Sequence, residues 1–155
     1  MSRFVVPIAG LLLLAGCGNG ETTTATFDEP PPLTKGEFLF EADRICLATE
    51  SEIEAAVDDY ATGPEEPDPA QVRRVVGQIV VPSLRSEARA IALLEPPPAD
   101  TGEVAAILEA TRRGARELAA DPLAAIDRPP ASLLEAERLA RRYGSQECGL
   151  RGLSR

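Results

Sequence analysis

Histidine and tryptophan are absent from this 155-residue chain, and methionine and lysine occur once each. Without an imidazole, the Ser–His and Cys–His nucleophile pairs, the commonest general base and imidazole metal ligation are excluded. There is no glycine-rich phosphate loop and no serine elbow either. Cations are in deficit: 16 Lys and Arg face 25 Asp and Glu, for a formal net charge of −9. That balance argues against a nucleic-acid footprint and against a polybasic grip on anionic headgroups. Aromatics are scarce, with four Phe and two Tyr, and none interleaves the arginines as base stacking would require. Three cysteines without a C-x-x-C spacing exclude that redox motif. What is plentiful is Ala, Leu, Arg and Glu, a mixture that favours helix.

The first segment to read is N-terminal. Arg3 supplies a single positive charge, and Phe4 to Leu14 is apolar but for Pro7, Ala9 and Gly10. At about 1.5 Å per residue this stretch is too short to span a hydrocarbon core of roughly 30 Å, so it reads as a signal-peptide core. The Leu14-Ala15-Gly16-Cys17 sequence that follows resembles the bacterial lipobox, in which the cysteine thiol receives diacylglycerol and becomes the N-terminus on cleavage. The resemblance implies a lipoprotein signal peptide over 1–16 and a lipid anchor on Cys17, with the cell membrane as partner and the extracytoplasmic face as location. Two or three acyl chains anchor stably where one would not. Residues 17–33 hold a threonine cluster and Pro30-Pro31-Pro32 and read as a linker, flexible at first and then extended. Residues 34–155 are left for one folded domain.

Four helices are expected in that domain. Thr34 and Glu37 form a capping box, and Leu33 and Phe38 are placed as a hydrophobic staple. From there Phe38, Ala42, Ile45, Thr49, Ile53 and Val57 recur at helical spacing until Thr62-Gly63-Pro64. Asp68-Pro69 caps a second helix through Val72, Val76, Val80, Leu84 and Ile91. Pro82 lies inside it, which predicts a kink near Gln78 or a split. The β-branched run Val75 to Val81 still reads as helix, because helical spacing continues on both sides. Asp100 with Glu103 resembles a second capping box, opening a helix through Val104, Leu108, Thr111, Ala115 and Leu118. Asp121-Pro122 opens a short turn to Ile126, and Ser132 to Tyr143 is the last helix, with Gly144 at its C′ position. Short connections make neighbours antiparallel, so the expected fold is an all-α, up-down-up-down four-helix bundle.

Cys46 and Cys148 are an even pair in an oxidising compartment once Cys17 carries lipid. In such a bundle the last helix descends beside the first. Cys46 lies about 18 Å along helix one, and a chain descending roughly 20 Å reaches a similar height at Cys148. A disulfide between them is therefore expected, and free buried thiols are the alternative.

Chemistry is sparse. The acidic clusters Asp58-Asp59 and Glu65-Glu66 with Asp68 lack the calcium-loop pattern, and adjacent helix residues point apart, so they read as solvated surface. No catalytic residue and no metal site is assigned. Arg112 and Arg116 share a face that could hold an anion. Glu109 precedes Arg113 by four and Glu137 precedes Arg141 by four, which reads more simply as helix ion pairing.

The stretch Leu33-Thr34-Lys35-Gly36-Glu37-Phe38, with Ala42-Asp43-Arg44-Ile45-Cys46, Tyr143-Gly144 and Cys148-Gly149, resembles a group of uncharacterised exported helical lipoproteins of actinobacteria. That resemblance implies the same Cys46–Cys148 pairing and supplies no activity or cofactor. The expected function is a non-enzymatic, membrane-tethered module that binds a small ligand or an envelope protein. A structural envelope component with no ligand is the alternative, followed by a carboxylate-based hydrolase. Two convergent carboxylates with a raised pKa in one cleft would favour the hydrolase, and a dry apolar groove a binder. The expected groove lies at Pro82, lined by Val80, Leu84 and Ile91 with Arg85 or Arg89 at its rim for an anionic group. The alternative is a proline that only curves the helix.

Overall fold

The computed structural model describes residues 31–61, 68–124 and 128–149. The signal segment, Cys17, Glu65, Glu66 and part of the short turn at 121–126 lie outside the described residues. Helix α1 runs Lys35–Ala61. The second helix comprises α2 (Pro69–Val75), a π turn (Val76–Val80) and α3 (Val81–Ala92). A 3₁₀ turn at Pro98–Asp100 leads into α4 (Thr101–Ala120), and α5 spans Ala131–Tyr143. The fold is all-α, and no strand occurs among the described residues.

The caps show why these helices start and stop where they do. Thr34 N–H and Oγ1 donate to Glu37 Oε2 at 2.9 and 2.6 Å, and Glu37 N–H donates to Thr34 Oγ1 at 3.3 Å. Leu33 packs against the core cluster that contains Phe38, as a staple should. Ala70 N–H donates to Asp68 Oδ1 at 3.0 Å, with Pro69 at the first helical position. Gly144, at φ 120°, closes α5: its own N–H reaches Arg141 O at 3.2 Å and the Ser145 N–H reaches Ala140 O at 3.0 Å. Asp100 departs from expectation. Its side chain makes no cap hydrogen bond and instead accepts from Tyr143 Oη at 2.9 Å, because a buried phenol needs a partner more than an exposed helix end does.

At Pro82 the helix does not break. The Val81 N–H reaches back five residues to Val76 O, and the backbone at Val75, Val76, Val80 and Val81 keeps right-handed helical angles. One extra residue in the turn widens the ring immediately ahead of the proline, with Gln78 at its centre.

Two core clusters divide the helices by level. The first joins Ile53 near the end of α1, Val72 to Leu84 of the second helix, Ala115 and Leu118 late in α4, and Leu133 early in α5. The second joins Phe38, Ala42 and Cys46 early in α1, Ala88 and Ile91, Val104 and Leu108, and Tyr143 at the end of α5. Beginnings meet ends at both levels, the pattern of an up-down-up-down course. Cys46 and Cys148 are bonded, closing the chain across 102 residues.

Candidate functional site

The site arises where the apolar stripes change character midway along the bundle. The α1 stripe puts Thr49 between Cys46 and Ile53, and the α4 stripe puts Thr111 between Leu108 and Ala115. On α3 buried Ala88 and half-buried Glu87 stand between Leu84 and Ile91, and α5 contributes Ala136 at this level. Hydroxyls, a carboxyl and a methyl replace the large aliphatic groups found above and below. The missing volume is a cavity of about 70 Å³, partly open to solvent and lined at this level by Thr49, Glu50, Glu87, Thr111 and Ala136. Apolar side chains from both core clusters, Phe38, Ile91 and Leu84 among them, complete the lining.

Glu87 is the perturbed group here. Burial pushes its carboxyl up to about 7, the negative charge of Glu50 adds to that, and a hydrogen bond from Thr49 acts in the opposite direction. Glu87 and Thr49 also line a shallow outer groove between α1 and α3, together with Arg44, Glu52 and Ser83. These two side chains are thus a shared wall between cavity and surface. Ser83 Oγ lies 2.9 Å from Glu52 Oε2 and 2.8 Å from Ile79 O, tying α3 to α1 beside that wall. Thr111 Oγ1 donates to Ile107 O at 3.1 Å, so toward the cavity it offers acceptor capacity only.

The segment after α5 covers part of the cavity, with Ser145, Cys148 and Gly149 in its lining. Asp43 holds that segment: it accepts from Ser145 Oγ at 2.5 Å, Gln146 N at 3.0 Å and Glu147 N at 3.4 Å. At the same level Tyr143 meets the Phe38 ring edge-on, centroids 6.0 Å apart, with Lys35 Nζ 4.0 Å from its own ring centre. Burial and the adjacent Asp100 carboxylate both push the Tyr143 phenol well above its ordinary value.

Of the expected groove residues, Leu84 and Ile91 do line the cavity. Val80 is packed inside the first core cluster and is not in that lining, and Arg85 and Arg89 are exposed on the outside of α3. The arginine pairings differ in part from expectation. Glu137–Arg141 forms at 2.9 Å, but Glu109 pairs with Arg116 at 2.9 Å, and Arg113 crosses to Glu135 of α5 at 2.8 Å. Asp58 is exposed, and no group of three potential metal ligands occurs among the described residues. Glu87 was not singled out by the sequence, although a signal existed: it follows Leu84 by three and precedes Ile91 by four, a charge on an otherwise apolar stripe. No family model, curated protein or solved structure matches the chain.

Proposed function

We propose that the chain is a lipoprotein tethered through Cys17 to the extracytoplasmic face of the cell membrane, and that its helical domain is a non-enzymatic module binding a small ligand in this cavity. The observation that carries the binding reading is a polar level in an otherwise apolar cavity lining, with half-buried Thr49, Glu50 and Glu87 and buried Thr111. A carboxyl raised to about 7 by burial is a standing cost to folding, and such local conflicts concentrate where a protein binds something. The lipobox carries the tether, and no described helix is long and apolar enough to cross a membrane.

One observation favours the hydrolase alternative: Glu50 and Glu87 are two carboxylates on one cavity wall, one of them with a raised pKa. Size weighs against it. Acids that cleave a glycosidic bond must flank it with substrate between them, and ligand pockets generally run to roughly 300 Å³ or more. A cavity of about 70 Å³ holds a molecule of a few heavy atoms.

Metabolic labelling with an alkyne fatty acid tests the tether. Label should enter the wild-type chain and be lost in Cys17→Ser, and equal labelling of both would remove the lipoprotein reading. Thermal melting of the detergent-solubilised full chain against a panel of small organic molecules tests the module. A ligand at 100 times its Kd should stabilise by roughly 2.7 kcal/mol. A panel that moves nothing leaves the ligand-free structural component.

A further inference from the structure

Resting on the proposed small-ligand reading of the same cavity, we infer that the ligand class is a short-chain organic monocation, an alkylammonium ion whose nitrogen sits at Glu50 and Glu87 and whose hydrocarbon tail lies among the apolar walls. The charge of the lining makes the choice. No Lys or Arg is among the residues lining the cavity, while two carboxylates are. An anionic ligand would meet like charge at these half-buried carboxylates and is disfavoured there. A neutral apolar molecule would fill the volume but offer neither acid a partner.

The remaining polar groups agree with a donor-bearing head. Thr111 has spent its proton on Ile107 O and can only accept. A protonated amine supplies up to three donors and no acceptor, which complements carboxylates and such a hydroxyl together. Size sets the length of the tail. An engineered cavity of about 150 Å³ takes benzene, and the cavity here is about 70 Å³. On that scale about three heavy atoms should fit, the size of ethylammonium. Entry would be past Thr49 and Glu87, which line both the cavity and the groove on the α1–α3 side.

Protonation follows from the same geometry. The charged groups around Glu87 are Glu50 from α1 and, on the groove side, Glu52 and Arg44 of the same helix. Arg44 is already paired with Glu41 at 2.9 Å. From α4 and α5 the lining has no charged side chain, Tyr143 being the one titratable group there. A bound cation stabilises the Glu87 carboxylate, so binding should release a proton and tighten as pH rises through about 7.

Isothermal titration of the detergent-solubilised full chain with ethylammonium, ethanol and acetate at pH 6 and pH 8 tests the inference. The ammonium should bind at least tenfold more tightly than either of the others and several-fold more tightly at pH 8 than at pH 6. Glu87→Gln should cut its affinity about tenfold and remove most of the pH dependence, with the helical circular dichroism retained. Should that variant fail to fold, Glu50→Gln carries the same expectation of weakened ammonium binding. Ethanol binding as tightly as ethylammonium, or acetate binding best, would overturn the cation class while leaving the cavity as a ligand site. If none of the three binds and nuclear Overhauser contacts show only water at Thr111, the ligand class and the binding module fall together.

Discussion

At the scale of single residues, two positions decide between opposed effects. Gly114 lies mid-helix in α4, where alanine would ordinarily stabilise by about 1 kcal/mol. A Cβ there would overlap Leu133 Cγ and Cδ2 and come within 3.1 Å of the Leu133 backbone nitrogen. Overpacking of this kind costs roughly 1–3 kcal/mol, so Gly114→Ala should destabilise on balance, and Leu133→Ala introduced with it should show favourable coupling in urea melts. Glu87 gives a pH signature of unusual sign. Its folded value of about 7 exceeds the ordinary 4.5, so between those values the native state holds a proton that the unfolded chain has released. Stability contributed by Glu87 is present below pH 4.5, declines up to about pH 7 and is then gone, an effect of at most roughly 3 kcal/mol. Glu37 runs the other way: hydrogen bonds from Thr34 hold its carboxyl below the ordinary value, and that stabilisation is lost in acid. Glu87→Gln should therefore raise the urea midpoint at pH 8 and flatten its fall between pH 4.5 and 7. An unchanged slope would mean that Glu87 stays ionised in the folded chain.

Pro82 is the instructive case at the scale of elements. A proline inside a helix costs about 3 kcal/mol when it displaces a hydrogen-bonded residue. Here the π turn at Val76–Val80 has already rearranged the bonding ahead of it, and the Pro82 side chain is exposed. Pro82→Ala should consequently change stability by less than about 1 kcal/mol, because regained helix bonding is offset by the freer unfolded chain. A gain of the full proline cost, measured by chemical denaturation, would show that the π turn does not absorb the residue. The element boundaries were largely legible, because Thr34, Asp68 and Gly144 announce themselves through short-range chemistry that packing does not override. Asp100 was not, because its choice between capping α4 and accepting from Tyr143 depends on a residue 43 positions away. The same limit applies to Arg113, whose partner Glu135 comes from the next helix although a Glu stands four residues earlier in its own.

At the scale of the whole molecule, periodicity specifies which faces turn inward but not how well they fill the space between them. Thr49 and Thr111 were legible as inward positions, yet the cavity exists only because four helices put short or polar side chains at one level. Part of its cover is held between the first helix and the segment after the last. Helix α1 supplies Asp43 and Cys46, and the segment after α5 supplies Ser145 and Cys148, so hydrogen bonds and the disulfide hold one stretch of lining in place. Cutting the disulfide acts first through the unfolded state: closing a loop of 102 residues is worth up to about 4.7 kcal/mol in the chain-entropy model. It also acts locally, since the covering segment is then held without a covalent tie, in part by its hydrogen bonds to Asp43, which net only about 1 kcal/mol each. Cys46→Ala should therefore lower the melting temperature by well over 10 °C, taking several degrees per kcal/mol for a domain of this size. Hydrogen exchange should separate the two effects. Amides of Gln146, Glu147 and Cys148 should lose protection far more than those of α4, and ligand binding should weaken with them. Uniform loss of protection would assign the disulfide to global stability alone, with no part in holding the segment that covers the cavity.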